Sequence, residues 1–357
     1  MLRIWFNRTY ATNSHVIAML RANPDGRAVH LIGTHCDPDS PVLVACDEAY
    51  PEPPENCRAA DYVAWALAFA AEHRVDVLIP RLGMADLADA RERFAAVGVT
   101  LTCPAADTVR LFEDKAAAYR AAAALGVPVP PHRLVTDGAG LRAAYEQLRD
   151  VAENVCMKPV HGTAGEGYRV LTTADPDLDD LLGAVHARAD LGRACAALDA
   201  AQAAGRAVPT LLVMPYLTGP EISVDALADR DGQTLAALGR SRSTRRRLVV
   251  DDLPARRVSE VLNRAHRVSY LSNTQVRYWQ APGDDEPLPY FLELNTRISG
   301  GLFQTAVTGV NLPWAAVQVA LGEDVGTLHP RYDVAFTTVA SLVALGPSPL
   351  ASGGGPI

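Results

Sequence analysis

Three short segments concentrate the residue types that polyphosphate chemistry needs. The first is Met157, Lys158 and Pro159, followed by His161, Gly162, Thr163, Ala164, Gly165, Glu166 and Gly167. A lysine on a strand ahead of a turn of small residues lets one cation and several backbone N–H groups approach phosphate oxygens. The segment is neither a Walker A loop, which ends in GK[ST], nor a GxGxxG dinucleotide turn. On spacing alone a plain turn is the commoner outcome. The second segment is LLVMPYLTGPEISVD, Leu211 to Asp225. A strand that breaks at Pro215 frees backbone groups. Between Met214 and Leu217 the Pro215 carbonyl and the Leu217 N–H, with Tyr216 between them, can read an adenine edge, and Glu221 can face ribose hydroxyls. Without context the same residues form a strand, a turn at Gly219 and Pro220, and a second strand with an exposed Glu221.

The third segment is YFLELNTRISGG, Tyr290 to Gly301. In a strand Glu293 and Asn295 share one face, with Arg297 beyond them, while Leu292 and Leu294 face the other way. A carboxylate among apolar residues needs a partner, because an unpaired buried charge is too costly. Hard oxygen donors from a Glu and an Asn suit Mg²⁺, which keeps water and phosphate oxygens in its other positions. Arg297, ahead of Gly300 and Gly301, fits a bidentate anion contact. A surface strand of alternating polar residues has the same pattern. The run from Arg240 to Arg247, which includes Arg242, is the one dense basic cluster. It is either a solvated loop or a source of arginines that neutralise a transferred phosphate. His161 is a plain loop histidine or a substrate contact.

These segments need elements to hold them. Through the first hundred residues RIWF, AVHLIGT and VDVLIP alternate with the helical patterns SHVIAMLRAN and DYVAWALAFAAEHR. That βαβ order predicts an open, parallel, doubly wound sheet. A helix is expected from Asp107 to Leu125, stopped by Gly126, and the VPVPPH run then leaves extended. The strands NVCMKP and YRVLT, with a long Ala-rich helical region ending near Gly205, make a compact second α/β segment. Beyond it come TLLVMPYL, a hairpin turning at Asp231 and Gly232, a helix from about Ser259 to Tyr270, the strands TQVRYWQ and YFLELN, and a helix from Leu312 to Leu321. The expected boundaries are 1–106, 107–210, 211–345 and a tail, 346–357.

The bulk composition narrows the function. Half of the 357 residues are apolar, a fifth are charged, and the formal charge is -8. Such a chain buries a core and has no need of disorder. A net negative charge argues against a nucleic-acid partner. No run approaches the ~18 apolar residues of a membrane span, and the start lacks a leader-like apolar stretch, so a cytoplasmic protein without a membrane partner is expected. The six cysteines form no CxxC pair and no zinc-type set, and read as reduced thiols.

Taken in order, Lys158 with its glycine-rich loop, MPYLTGPE and ELNTR resemble the ATP-grasp superfamily, with the βαβ start similar to the domain ahead of the ATP-grasp core in carbamoyl phosphate synthase, biotin carboxylase and D-alanyl-D-alanine ligase. The resemblance covers nearly the whole chain. It implies an α/β fold in which a Rossmann-like domain precedes a two-lobed α+β ATP-grasp core. It implies an ADP-forming carboxylate–amine ligase acting through an acyl phosphate, with ATP and Mg²⁺ (or Mn²⁺). A carboxylate kinase, a ligase with a thiol or hydroxyl acceptor, and a non-catalytic nucleotide sensor are the alternatives. Carried over residue by residue, Lys115 and Lys158 are the phosphate lysines, with Gly162, Thr163, Ala164, Gly165 and Gly167 as the loop. Met214, Pro215, Tyr216, Leu217 and Glu221 line the nucleoside, and Glu293, Asn295 and Gln275 bind metal. Arg297, Arg277 and Arg242 join Lys158 as catalytic groups. Small carboxylate and amine substrates and a homodimer are expected. Met214 stands where many relatives have Glu, and N-T-R replaces the usual N-P-R.

Overall fold

The computed structural model describes residues 1–162, 165–174, 188–241 and 247–339. Thr163, Ala164, Arg242 and the tail 346–357 lie outside those residues. The chain opens with β1 (Leu2–Asn7), α1 (Ser14–Arg21), β2 (Val29–His35), β3 (Glu48–Pro51) and α2 (Ala59–Glu72). It continues through β4 (Val77–Ile79), α3 (Met84–Asp89), α4 (Arg91–Ala96), β5 (Thr100–Leu101), α5 (Ala106–Glu113) and α6 (Lys115–Ala124). Then follow β6 (Arg133–Val135), α7 (Gly138–Arg149), β7 (Val155–Pro159), β8 (Arg169–Thr172), β9 (Arg188–Asp190), α8 (Leu191–Ala203) and β10 (Leu211–Pro215). The remainder is β11 (Glu221–Ala228), β12 (Thr234–Ser241), β13 (Arg247–Val250), α9 (Leu253–His266), β14 (Tyr270–Trp279), β15 (Leu288–Asn295), α10 (Leu312–Leu321) and β16 (Val334–Phe336).

These elements form three sheets and two compact units. One unit contains Met1–Val109, Ser223–Asn273 and Asn295–Ile357, and the other Arg110–Ile222 and Thr274–Leu294. The chain therefore passes between units inside α5, β11, β14 and β15. In the first unit a parallel sheet runs in the order β3-β2-β1-β4-β5. The LRIWFN run of β1 is apolar on both sides because both faces are covered. Ile4 and Phe6 pack with Val16, Ile17, Leu20 and Trp314, while Trp5 packs with Phe69 and Phe94 in a separate core. β1 and β4 flank the point where the strand order reverses, the position at which open α/β sheets bind ligands beyond their carboxyl ends.

In the second unit the sheet order is β6-β10-β7-β8-β9. β7 and β10 are antiparallel, with Lys158 opposite Leu212 and Cys156 opposite Met214, so the strands of the first two sequence segments are neighbours. Leu141 and Leu148 of α7 and Leu191 of α8 pack on Val155 and Val213. The third sheet runs β15-β14-β11-β12-β13-β16.

Two helix expectations are corrected. The helix expected over 107–125 is two helices, because Asp114 leaves helical geometry at ψ 104° and its carboxylate caps α6 through the Ala117 N–H. The helix expected over 259–270 begins earlier, at Leu253, where Asp252 caps it through Ala255 N–H and Pro254 sits in the first turn. It ends at His266, after which Arg267 turns left-handed and Tyr270 already belongs to β14.

Candidate active site

The second unit gathers two lysines and a carboxylate. Lys115 opens α6, and its Nζ donates to the Gly162 carbonyl at 2.7 Å and to Val160 at 3.4 Å. Lys158 reaches from β7 to the Leu292 carbonyl at 3.1 Å and the Tyr119 hydroxyl at 3.4 Å, with its ammonium 5.4 Å from the Tyr119 ring centre. Burial pulls both ammonium groups below the ordinary lysine value, and for Lys115 the charge of Lys158 adds to the effect. The Glu293 carboxylate acts the other way on both. Lys115, Lys158 and Glu293, which lie far apart in the sequence, thus feel one another. Gly162, Gly165 and Gly167 take φ of 132°, 73° and 68°, a region that disfavours side chains. A Cβ on Gly167 would also lie 2.7 Å from the Pro159 ring, so the loop folds tightly back on the end of β7.

The strand β10 is held from both sides. All five residues of β10 are buried, and Tyr119 donates its hydroxyl to the Met214 sulfur at 3.5 Å. Tyr216 N–H donates to Asn154 at 2.8 Å, and the Pro215 carbonyl receives the Cys156 thiol at 3.7 Å. Leu217 is buried. The following turn is pinned by Gly219 N–H to Tyr278 at 3.1 Å and Tyr278 N–H to Pro220 at 3.0 Å. A Cβ on Gly219 would sit 2.3 Å from the Tyr278 oxygen, which leaves room for glycine alone. Arg277 donates Nε to the Gly219 carbonyl at 3.1 Å and lies 5.1 Å over the Tyr216 ring. Its place is at this turn. Glu221, half-buried, opens β11 directly after it.

On β15 Glu293 and Asn295 are half-buried on either side of the fully buried Leu294, and Gln275 is half-buried on the adjacent β14. Leu292, expected to face the core, is only partly buried, and Lys158 uses its carbonyl. Among the described residues no group of three or more His, Cys, Asp or Glu side chains could hold a metal. One carboxylate and two amides are too few for a caged cation. They fit Mg²⁺ that arrives with phosphate and takes most of its ligands from phosphate and water.

Arg297 lies in the first unit, where its guanidinium is 5.3 Å from the Tyr10 ring centre and that of Arg81 is 4.0 Å from the same ring. Arg81 donates Nη1 to the Arg8 carbonyl at 3.0 Å, while its buried Nε has no hydrogen-bond partner among the described residues. Arg8 is 2% exposed with φ 35° and is paired with the buried Glu52, Nε to Oε1 at 3.7 Å. Burial raises the Glu52 carboxyl above its ordinary value, opposed by bonds from Tyr62 and Thr34 and by Arg8. Tyr10, Arg8 and Arg81 escaped the sequence reading. Their signal is topological: they follow β1 and β4, which flank the switch point.

Arg240 is committed elsewhere in the same unit. Its Nε meets Oδ2 of the fully buried Asp225 at 2.5 Å, and its other nitrogens reach Ser299 and Gln304 at 3.3 Å. Asn273 and Ser299 complete the Asp225 carboxylate at 2.8 and 2.7 Å. A Cβ on Gly301 would lie 2.5 Å from Arg240 Nη1, so the glycines after Arg297 admit a guanidinium brace.

Comparison with known proteins agrees with this geometry. Residues 207–341 match the family described as ATP-grasp in the biosynthetic pathway with Ter operon. Methylcrotonoyl-CoA carboxylase subunit alpha of Arabidopsis thaliana is 27% identical over 306 residues, which cover 80% of this chain and 39% of that protein. Biotin carboxylase of Allochromatium vinosum is 28% identical over 249 residues, covering 67% of this chain and 52% of the relative. The chain thus spans between two fifths and half of these relatives. Among solved structures, the biotin carboxylase domain dimer of Hydrogenobacter thermophilus 2-oxoglutarate carboxylase, with MgADP, ADP and bicarbonate, covers 93% of this chain and 73% of its own, at TM-score 0.61 and 18% identity. An ADP complex of N5-carboxyaminoimidazole ribonucleotide synthetase covers 94% of this chain and 81% of its own, at TM-score 0.64 and 14% identity. These likenesses show the fold, an α/β chain in which a parallel sheet precedes mixed sheets. Residues 207–341 thus carry an ATP-grasp family match, with which the three motifs and the shared fold agree.

Proposed function

We propose that the chain is an ATP-dependent carboxylate–amine ligase that forms an acyl phosphate and releases ADP and phosphate. The observation that carries this reading is the electrostatic convergence of Lys115, Lys158 and Glu293. A nucleotide sensor needs affinity for ATP but no carboxylate set against its phosphate lysines. In this reading Met214 to Leu217 and Glu221 take the nucleoside, and the lysines with the Gly162 to Gly167 loop take the phosphates. Mg²⁺ or Mn²⁺ on Glu293, Asn295 and Gln275 supplies charge neutralisation at the phosphate oxygens. Lys158 withdraws charge as the substrate carboxylate attacks the γ-phosphorus in line. Arg297, two residues past the end of β15, steadies the tetrahedral oxyanion when the amine attacks. Arg277 positions the nucleoside turn, and Arg81 with Tyr10 orients Arg297. The substrates are a small carboxylic acid and a small amine, and the assembly is a homodimer, as in the dimer of the 2-oxoglutarate carboxylase domain. Among the described residues no helix is long and apolar enough to cross a membrane, and the cytoplasm is the proposed compartment.

A screen of carboxylates and amines for ADP formation identifies the pair. With ¹⁸O in the carboxylate, label is then expected in inorganic phosphate. ADP release that needs no amine makes the chain a carboxylate kinase, and label recovered in AMP overturns the acyl-phosphate route.

A further inference from the structure

Within the first unit, α4, β5 and the turn between α9 and β14 enclose a cavity of about 420 Å³. That volume suits a small molecule. Val99 and Leu101 give it an apolar wall, and three guanidinium groups, those of Arg91, Arg230 and Arg267, line it without any acidic side chain. None of its lining residues belongs to the second unit, which holds the phosphate lysines.

Two of the arginines are held by backbone carbonyls. Arg91 donates to the carbonyls of Leu101 at 3.1 Å, Cys103 at 2.5 Å and Pro104 at 2.9 Å. Arg230 donates to the Ala320 carbonyl at 2.8 Å. Such acceptors are uncharged, so they satisfy N–H groups without cancelling the positive charge. The surrounding backbone is built to hold them. A Cβ on Gly232 would lie 2.7 Å from the Arg267 Cα, so the hairpin turn beside Arg230 is seated against the end of α9. Thr108 Oγ1 donates to the His266 carbonyl at 2.9 Å and ties α5 to the same place. Arg267 and Tyr270, at φ 49° and 63°, are two of the five left-handed non-glycine residues among those described. Helix termination accounts for Arg267. It does not account for a bulky, buried Tyr270 beside the cavity, and backbone of this kind concentrates at ligand sites.

In a chain of net charge -8, three cations around an apolar hollow stand against the overall balance. We propose that this cavity binds a small organic anion, a carboxylate or phosphate group on an apolar body, with Arg230 and Arg267 gripping the charged head and Val99 and Leu101 contacting the body.

The test is calorimetric titration of the full chain with phenyl phosphate in the presence of saturating Mg·ADP, which fills the nucleotide site. One phenyl phosphate per chain is expected, with inorganic phosphate binding more weakly for want of the apolar body. The Arg230→Gln/Arg267→Gln double variant, altered at two exposed side chains, is expected to lose affinity by about tenfold or more. Ala95→Phe, which keeps every charge and fills the hollow from an exposed position, is expected to bind as poorly. Circular dichroism and Tm establish that each variant is folded. Absence of binding to the wild type, unchanged affinity in both variants, or displacement of phenyl phosphate by added ADP would each overturn the proposal.

Discussion

Lys115 and Lys158 are held in a place that burial makes uncomfortable for a cation, and the Glu293 carboxylate is the group that eases it. On the proposed function, Lys158→Ala is expected to lower kcat/KM for ATP on the order of a hundredfold, since it would remove a charge from a dry phosphate site. Glu293→Gln should bring Mg²⁺-dependent ADP release to background while the circular dichroism spectrum stays unchanged, because Leu294 still fills its place in the core. Near-normal rates in a coupled ADP assay would remove these roles. Thiol chemistry gives a separate check. Burial pushes Cys46 up to about 12 and both Cys103 and Cys156 to about 11. At pH 8 about a thousandth of a thiol with a pKa near 11 is thiolate. Titration of native protein with an aromatic disulfide is expected to label the exposed Cys36 first and to reach Cys103 and Cys156 only on unfolding. The strand positions of Lys158, Glu293 and Asn295 were legible in the sequence, Lys158 from the strand ahead of a glycine-rich turn and the other two from a strand's period of two. Tyr10, Arg81 and Arg297 were not legible as a group, because residues so far apart in the chain share no period.

At the scale of elements, local rules predicted types better than limits. The 312–321 helix emerged as read, since Asn311 caps it and Gly322 ends it. The 107–125 segment looked continuous because Asp114 is compatible with a helix pattern. Only the structure shows that its carboxylate serves better as a cap, which places Lys115 on a helix's first turn. Sequence also hides which glycines are compulsory. Gly219 lacks space for a Cβ, whereas Gly205, at φ 68°, has nothing within 4 Å. Gly205→Ala should therefore cost only the backbone term, about 1 kcal/mol. Gly219→Ala should cost about 2 kcal/mol or more and raise the KM for ATP, as the turn is forced off Tyr278. Urea unfolding of the two variants distinguishes the cases, and equal destabilisation would show that the turn yields without strain.

At the scale of the molecule, the fold class and motif order were legible because strand and helix periods alternate along the chain. The composition of the units was not. A unit drawn from Met1–Val109, Ser223–Asn273 and Asn295–Ile357 depends on contacts across long separations, and β11, β14 and β15 change allegiance partway along an unbroken strand pattern. The lowered lysines carry a consequence for the whole protein's exchange with its solvent. Without nucleotide, burial favours loss of a proton from Lys115 and Lys158 at a pH below the ordinary 10.5. A polyphosphate stabilises the protonated form and moves both groups back up. On the proposed function, nucleotide binding is therefore coupled to proton uptake wherever the free lysines are partly deprotonated, and affinity should fall as pH rises through that range. ADP titrated calorimetrically at pH 9, in two buffers of different ionisation enthalpy, is expected to show heats that diverge in proportion to the protons drawn from buffer. The divergence should shrink in Lys158→Ala, and identical heats in both buffers would mean that the lysines keep their protons throughout. On the proposed function the chain would then take up nucleotide and a fraction of a hydrogen ion together and return both when ADP leaves.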